Sequence, residues 1–161
     1  MTRKTELERV TPHLGRDLRL QYTFGGGFFE DADLAGDPRR GAPIGSRDLS
    51  VAEGLAAITQ AIANRLKTRK GELAPLGHPD YGSRHHELIG EPNVGRTRDL
   101  IKLYVLQALR DEPRIEKVLR AEVAAEHAPP RDSVRITLSV RLVREATPLN
   151  LVIPFSLAAG S

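Results

Sequence analysis

The sequence predicts an α+β fold in which two helices pack on a mostly antiparallel sheet. Apolar residues recur at helical spacing in residues 51–66 and form an apolar run of helical length in residues 100–109. In residues 134–142 and 149–155 the pattern changes to strict alternation of apolar and polar residues, which is typical of strands with one buried face. Two helices beside several such strands indicate this fold class.

Composition limits the classes of protein that fit. The 161 residues suffice for a domain with a real core, and 40% hydrophobic with 28% charged residues is ordinary for a globular protein. The chain has no cysteine, which excludes disulfides and cysteine-ligated metals and favours cytoplasmic synthesis. The first six residues lack the apolar region of a signal peptide, and no apolar run approaches the ~20 residues of a membrane span.

The N-terminal part is predicted to be an arm, residues 1–47, preceding a folded domain, residues 48–161. Its first 15 residues are polar and indicate a tail that orders on a partner. Asp17–Phe24 alternates and predicts a strand, and the glycine triplet at 25–27 predicts a hinge rather than a phosphate loop, because no helix follows it. Residues 28–47 have the composition of a loop.

The first helix is predicted from Ser50, whose spacing to Glu53 is that of a capping box. Gly54 inside this helix suggests close approach of another backbone. The helix ends in a basic cluster, which is more typical of a solvated helix end than of a phosphate or nucleic-acid site, and Gly71 suits the position after it. Its apolar stripe consists of Val51, Leu55, Ile58, Ile62 and Leu66.

Residues 72–92 form a long connection that raises the question of a metal site. Its candidate ligands are His78, Asp80, His85, His86 and Glu87. Adjacent histidines diverge, and no standard ligand spacing is present, so no metal and no cofactor are expected.

The second helix is predicted to start at Asn93 or Thr97 and to end before Pro113, which has no backbone N–H and disfavours the helical conformation of the preceding residue. Glu112 then lies at a helix C-terminus, where the macrodipole disfavours a carboxylate. It must therefore be solvated or held by a cation. Because Arg114 is close but can point elsewhere, Glu112 and Arg114 are both candidates to reach a partner outside the chain.

Three strands are predicted after this corner. Ile115–Ala125 is the least regular, residues 126–132 with Pro129-Pro130 form a turn, and the strands at 134–142 and 149–155 alternate cleanly. Pro154 cannot donate to a ladder and therefore places the last strand at a sheet edge.

The order of four short motifs resembles the baseplate wedge family of contractile phage tails, tailocins, type VI secretion and related injection systems. The resemblance covers roughly residues 48–155. The motifs are Ser50-Val51-Ala52-Glu53-Gly54, then Gln60 with Asn64-Arg65-Leu66, Thr68 and Gly71-Glu72-Leu73, then Pro79-Asp80-Tyr81-Gly82-Ser83, and Glu112-Pro113-Arg114-Ile115.

The resemblance implies a structural virion or injection-particle component without catalytic residues. It implies a domain similar to the inner part of contractile sheath subunits, acting as a sheath initiator. The implied partners are other wedge proteins, the sheath protein and inner tube or hub proteins, with no nucleic acid and no membrane. Assembly is expected in the cytoplasm, before the chain becomes part of the tail. Glu112, Pro113 and Arg114 are the implied partner contacts.

Sheath subunits of this class join by strand exchange, so the resemblance also implies that the C-terminal strands pair with the sheath. The residues assigned to that exchange are Val134, Ile136, Leu138, Val140, Leu142, Leu149, Leu151 and Ile153.

Two rival functions remain. A lysozyme-like glycan hydrolase needs two carboxylates flanking a cleft, and no spacing selects a pair from Glu72, Asp80, Glu87 and Glu112. Nucleic-acid binding would rest on the basic cluster at 65–70 and the arginines of residues 134–144. Acidic residues are distributed through the rest of the chain, net charge is only +3, and 4% of residues are aromatic. Both are less favoured than assembly.

Overall fold

The structure, a computed structural model, describes residues 12–25, 29–41, 43–127 and 131–159. Residues 1–11 of the predicted tail, most of the glycine triplet and Pro129-Pro130 lie outside these residues. The end of the predicted tail is folded, since Leu14 is buried. Residues 1–61 and 62–161 form two compact units. The strands and helices are β1 (Arg16–Leu18), β2 (Leu20–Gly25), β3 (Phe29–Leu34), β4 (Gly36–Pro38), β5 (Arg47–Leu49), β6 (Val51–Glu53), α1 (Leu55–Lys67), α2 (Gly95–Arg110), β7 (Ile115–Ala125), β8 (Ser133–Leu142) and β9 (Leu149–Ser156).

The first unit contains three short antiparallel ribbons that meet at one point. The ribbons pair β1 with β6, β2 with β3, and β4 with β5. Between them lie Arg19, Ala35 and Ser50, which form a closed ring of backbone hydrogen bonds. Arg19 donates to Ser50 at 2.9 Å, Ser50 donates to Ala35 at 2.9 Å, and Ala35 donates to Arg19 at 2.8 Å. We call this ring the three-way junction.

The junction corrects two predictions for the N-terminal part. The predicted single strand Asp17–Phe24 is interrupted at Arg19, where the chain leaves one ribbon and enters the next. Residues 28–47 are not a loop, because they contain β3 and β4 and lead into β5. β2 and β3 pair antiparallel, with Gly25 opposite Phe29, and the predicted hinge at residues 26–27 lies outside the described residues.

The first helix begins later than predicted. Val51 and Glu53 belong to β6, so the capping-box prediction is wrong and Val51 is not on the helical stripe. Gly54 precedes the helix in the left-handed region, at φ 59°. Its N–H donates to the Gly15 carbonyl at 3.1 Å, which is the backbone approach that the glycine suggested. The remaining stripe is confirmed, since Ile58, Ile62 and Leu66 are buried.

The second helix ends at Arg110, as Pro113 predicts, and begins at Gly95 with Val94 as the flanking residue. Neither Asn93 nor Thr97 caps it. One face is buried, through residues such as Ile101 and Val105, whereas Leu103 is half exposed, so the helix is amphipathic. It packs against β7.

The C-terminal sheet has the order β7-β8-β9 and is antiparallel throughout. This confirms the α+β fold class and the position of β9 at an edge. The irregularity of β7 is confirmed as two register shifts, next to Glu116 and Leu119. Burial alternates along β8, whose even-numbered residues are inaccessible.

The central position of β8 corrects the residues assigned to strand exchange. A strand paired on both sides has no edge to offer, and its apolar side chains are 0% exposed, so Val134, Ile136, Leu138, Val140 and Leu142 form the core. On β9, Leu151 and Ile153 are also buried, and Leu149 is partly so. Alternation along β8 therefore indicated core packing, whereas β9 lies at an edge and its part in strand exchange stays a prediction.

No helix in the described part of the chain is long and apolar enough to cross a membrane.

Candidate interaction sites

The corner after α2, residues 112–114, folds back on itself. The Glu112 N–H donates to the Leu109 carbonyl at 3.2 Å, and the Ile115 N–H donates to the Glu112 carbonyl at 3.1 Å. The Glu112 side chain accepts from Arg114 Nε at 2.5 Å and from the Arg114 backbone N–H at 3.4 Å. Because Pro113 ends the helix, the chain reverses and brings Arg114 onto the carboxylate two residues before it.

A second arginine reaches the same carboxylate from the last turns of α1. Arg65 Nη2 lies 3.6 Å from Glu112 Oε2, and the Arg65 guanidinium lies 4.6 Å from the centre of the Tyr81 ring. Glu112 is 4% exposed. Burial acts to raise the pKa of Glu112, but the hydrogen bonds and charge of Arg114, with the charge of Arg65, outweigh it and leave the pKa below its ordinary value.

These contacts decide between the alternatives for Glu112. The carboxylate is held by two cations inside the chain and is not solvated. It therefore positions Arg114 rather than contacting a partner itself. Pro113 is exposed and Arg114 is partly exposed, so the predicted partner contact rests on these two residues. The role of Arg65 was missed, because the residues are 47 apart in sequence and only the tertiary fold joins them.

A groove of about 610 Å³ lies beside the corner. Its walls include Arg65, Tyr81 and Asp111. Gly82 fixes the segment behind it, with φ 99°, and a Cβ there would lie 2.6 Å from the Arg69 carbonyl oxygen. The Ser83 N–H also donates to Thr68 at 2.9 Å. Thus two of the motifs, around residues 68–71 and 79–83, are partners in one backbone contact.

The adjacent histidines pack against an aromatic residue. Contrary to the expectation from the sequence, the rings of His85 and His86 do not diverge but are stacked with centres 4.3 Å apart, and both meet Phe155 edge-on. His85 Nδ1 is 2.7 Å from Ser83 Oγ, and His86 Nε2 is 2.8 Å from the Leu66 carbonyl oxygen. Burial, with the neighbouring His86, lowers the pKa of His85 to about 3. Within the described residues, no group of three or more histidine, aspartate or glutamate side chains could hold a metal.

The two outer edges of the C-terminal sheet differ. The Glu126 N–H donates to the Ser133 carbonyl on β8 at 2.9 Å. In an antiparallel pair, hydrogen-bonded residues recur at every second position. The backbones of the alternate residues, Ala121, Val123 and Ala125, therefore face the open side of β7. On the other edge, the Leu157 N–H donates to the Asp132 carbonyl. By the same alternation, the backbones of Val152 and Pro154 face the open side of β9.

Proline therefore removes one donor from the open side of β9, whereas the second half of β7 is regular and retains its donors. Across the described part of the chain, neither outer edge is paired with another strand. The sequence contained the signal for one edge, Pro154, but not for the other.

Fold and edges together define a small α+β domain with an open antiparallel edge and an internally braced corner. The profile of a family described as "Baseplate wedge protein gp25" matches residues 52–148, and the chain belongs to this family. It is therefore a structural baseplate component of a contractile tail, associated with other baseplate components.

Among solved structures, a proposed tail lysozyme from Geobacter sulfurreducens is similar, with 27% identity and a TM-score of 0.53 over 64% of this chain and 90% of that one. A search of curated proteins found no significant match.

Proposed function

We infer that this protein docks on the baseplate wedge through the corner and templates the first sheath ring through the open edge of β7. The observation that carries this proposal is the regular half of β7, residues 120–125, whose outward backbone groups are not paired within the described residues. An open edge is an aggregation hazard unless a partner covers it. An incoming sheath strand supplies the missing hydrogen bonds.

Geometry supports β7 over β9 as the acceptor. The outward groups of Ala121, Val123 and Ala125 offer donors and acceptors at the regular spacing of a ladder. On β9 that spacing is broken at Pro154. The bulges next to Glu116 and Leu119 confine the usable edge of β7 to its second half, which fixes the register of the strand that adds to it.

A pair of matched substitutions tests the edge. Val123→Pro removes a donor from the open side of β7, and Val152→Pro makes the same change on the open side of β9. Neither touches a hydrogen bond to β8, because both N–H groups face outward. Sheath length is measured by electron microscopy of particles that carry each variant.

We expect Val123→Pro particles to have tubes and baseplates without sheath, and Val152→Pro particles to have full-length sheath. Full-length sheath on both would show that sheath assembly does not start on β7. If both variants lack sheath and circular dichroism shows altered folds, the effect is on the fold of the sheet. If both lack sheath with unchanged circular dichroism, the preference for β7 over β9 is wrong.

We also infer that the role is structural and not hydrolytic. A glycan hydrolase needs a carboxylic acid with a raised pKa. Here Arg114 and Arg65 hold the pKa of Glu112 below its ordinary value despite burial, and Arg84 lowers the pKa of Glu87 through its hydrogen bond and charge. Purified protein should release no reducing ends from peptidoglycan. Release that is abolished by Glu112→Gln or Glu72→Gln would establish the lysozyme-like alternative.

A further inference from the structure

The three ribbons of the first unit share an internal repeat that is visible in the sequence only once the junction is known. Each junction residue follows an Asp-Leu pair, at 17–18, 33–34 and 48–49. In every copy the aspartate Oδ1 accepts from the leucine N–H, at 2.8, 2.7 and 2.9 Å in chain order. All three leucines are exposed, between 42% and 51%. The unit thus has approximate threefold symmetry.

Each copy also presents the same pair of backbone groups where one ribbon meets the next. The N–H and carbonyl groups of the three junction residues are all used within the ring. The carbonyl of the residue before each junction residue, and the N–H of the residue after it, therefore point away from the ring. We call these pairs edge notches. The first consists of Leu18 O and Leu20 N, the second of Leu34 O and Gly36 N, and the third of Leu49 O and Val51 N.

The first edge notch is filled by the side chain of Gln60. Its Oε1 accepts from the Leu20 N–H at 2.8 Å, and its Nε2 donates to the Leu18 carbonyl at 2.7 Å and to Asp17 Oδ2 at 3.3 Å. Gln60 is 7% exposed. A carboxamide has one donor and one acceptor side by side, so it pairs with this edge as a neighbouring strand would.

The second edge notch has the same chemical groups. No side chain of the described residues is hydrogen-bonded to it as Gln60 is to the first notch, although Gln21 lies on the wall of the groove beside it. Asp33, Leu34 and Gly36 repeat the positions of Asp17, Leu18 and Leu20. A groove of about 420 Å³ runs beside it, between the exposed side chains of Leu34 and Leu49. Arginine side chains lie on the carbonyls beside two of the notches: Arg47 donates to the Gly36 carbonyl beside the second, and Arg19 donates to the Val51 carbonyl beside the third at 3.2 Å.

We propose that the second edge notch binds an asparagine or glutamine side chain of a neighbouring baseplate protein. The carboxamide nitrogen donates to the Leu34 carbonyl and to Asp33, and its oxygen accepts from the Gly36 N–H. The aliphatic part of the inserted side chain packs between Leu34 and Leu49. This proposal rests on the baseplate role of the chain but not on the sheath edge, which lies on β7.

Position 36 gives a matched pair of variants. Gly36→Pro removes the N–H donor. Proline is compatible with an outward-facing position of β4, because Pro38, two residues further on, already occupies one. Gly36→Ala keeps the donor and adds only a Cβ, which would lie 3.2 Å from Arg47 Nε and 3.4 Å from the Asp48 carbonyl oxygen. Both variants are added to baseplates assembled without this chain, and the incorporated protein is measured by quantitative mass spectrometry.

We expect incorporation of Gly36→Pro to fall about tenfold, the loss that follows from one interface hydrogen bond left unmade, and Gly36→Ala to incorporate within about twofold of wild type. Equal incorporation of all three proteins, or an equal loss for both variants, would overturn the proposal. A cryo-EM reconstruction of the particle identifies the occupant. A side-chain carboxamide within hydrogen-bond distance of Leu34 O and Gly36 N supports the proposal, whereas an extended backbone or an empty groove contradicts it.

The two proposals fail separately. If the Val123→Pro protein enters baseplates normally but the particles lack sheath, the proposal for the edge notch is unaffected. If the Gly36→Pro protein enters baseplates poorly but the particles that contain it carry full-length sheath, the proposal for the β7 edge is unaffected.

Discussion

Arg65 and Glu112 form a buried ion pair, with Arg65 Nη2 3.6 Å from Glu112 Oε2 and side chains that are 11% and 4% exposed. The Nε of Arg65 is buried without a hydrogen-bond partner. The carboxylate of Glu112 is therefore the main compensation for a guanidinium charge that is largely withdrawn from water. Such a pair is costly to break on one side, because the remaining charge stays buried and unpaired.

The first prediction concerns this pair. Glu112→Gln should lower the free energy of unfolding by ~3–5 kcal/mol, because Arg65 and Arg114 lose their shared anion. Glu87→Gln serves as the control, since Glu87 pairs with Arg84 on the surface. Urea unfolding followed by circular dichroism measures both. Equal midpoints for Glu112→Gln and wild type would refute the bracing role of the carboxylate.

Gly82 should be far less replaceable than Gly77, although both have positive φ. Gly82→Ala would place a Cβ 2.6 Å from the backbone of Arg69, whereas nothing lies within 4 Å of a Cβ at Gly77. Gly77→Ala should therefore cost about 1 kcal/mol for the left-handed conformation alone, and Gly82→Ala several times more. Thermal unfolding of the two variants gives the comparison, and similar losses would contradict it.

Acidification should weaken the fold through His85. Its pKa is about 3 in the folded chain and about 6.5 when unfolded, so the unfolded chain binds the extra proton between these values. Stability is therefore complete above pH ~6.5 and falls as pH drops, by up to ~1.4 kcal/mol per pH unit for one histidine.

Unfolding free energies measured between pH 5 and pH 7 test this. His85→Asn should be less stable at pH 7, because the contact with Phe155 is lost, yet show a flatter dependence on pH. An unchanged slope would assign the pH dependence to other groups, among them His86, whose pKa is also lowered by burial.

Gln60 should stabilise the first unit by closing the first edge notch. Gln60→Met keeps the length of the side chain but leaves Leu18 O and Leu20 N unpaired, at a cost of ~1–3 kcal/mol. Gln107→Met, on the exposed side of α2, is the matched control and should change little. Hydrogen exchange of the Leu20 amide should quicken in Gln60→Met alone, and an unchanged rate would contradict the role of the carboxamide.

The sequence predicted the elements whose pattern is local. Alternation defined β8 and β9, and Pro113 defined the end of α2, because each depends on neighbouring residues. Ribbons of three residues contain less than two periods of alternation, so β1, β4, β5 and β6 gave no pattern of their own. Ser50 and Glu53 had capping-box spacing but belong to the junction and β6, since the pairing of β6 with β1 outweighs the local preference for an earlier helix start.

For the candidate sites too, the sequence predicted the local features and not the tertiary contacts. The corner was found because proline and charge at a helix end are local signals. Its bracing by Arg65, and the filling of the first edge notch by Gln60, depend on contacts across 47 and about 40 residues, which no periodicity contains. The repeated Asp-Leu pairs were the one available signal for the junction, but two residues repeated three times are too short to be recognised without the backbone ring that they flank.

The last prediction concerns docking through Arg114. Its Nε is bound to Glu112, and its side chain is 29% exposed beside exposed Pro113. Arg114→Lys keeps the positive charge near Glu112 but loses the planar set of donors that an interface can engage. The variant should remain folded and recover less baseplate protein in a pull-down, by about tenfold if one desolvated polar contact is lost. Arg141→Lys, an exposed position on β8, is the matched control and should recover partners as wild type does. Undiminished recovery with Arg114→Lys would remove the corner from the docking interface and leave Glu112 with a purely internal role.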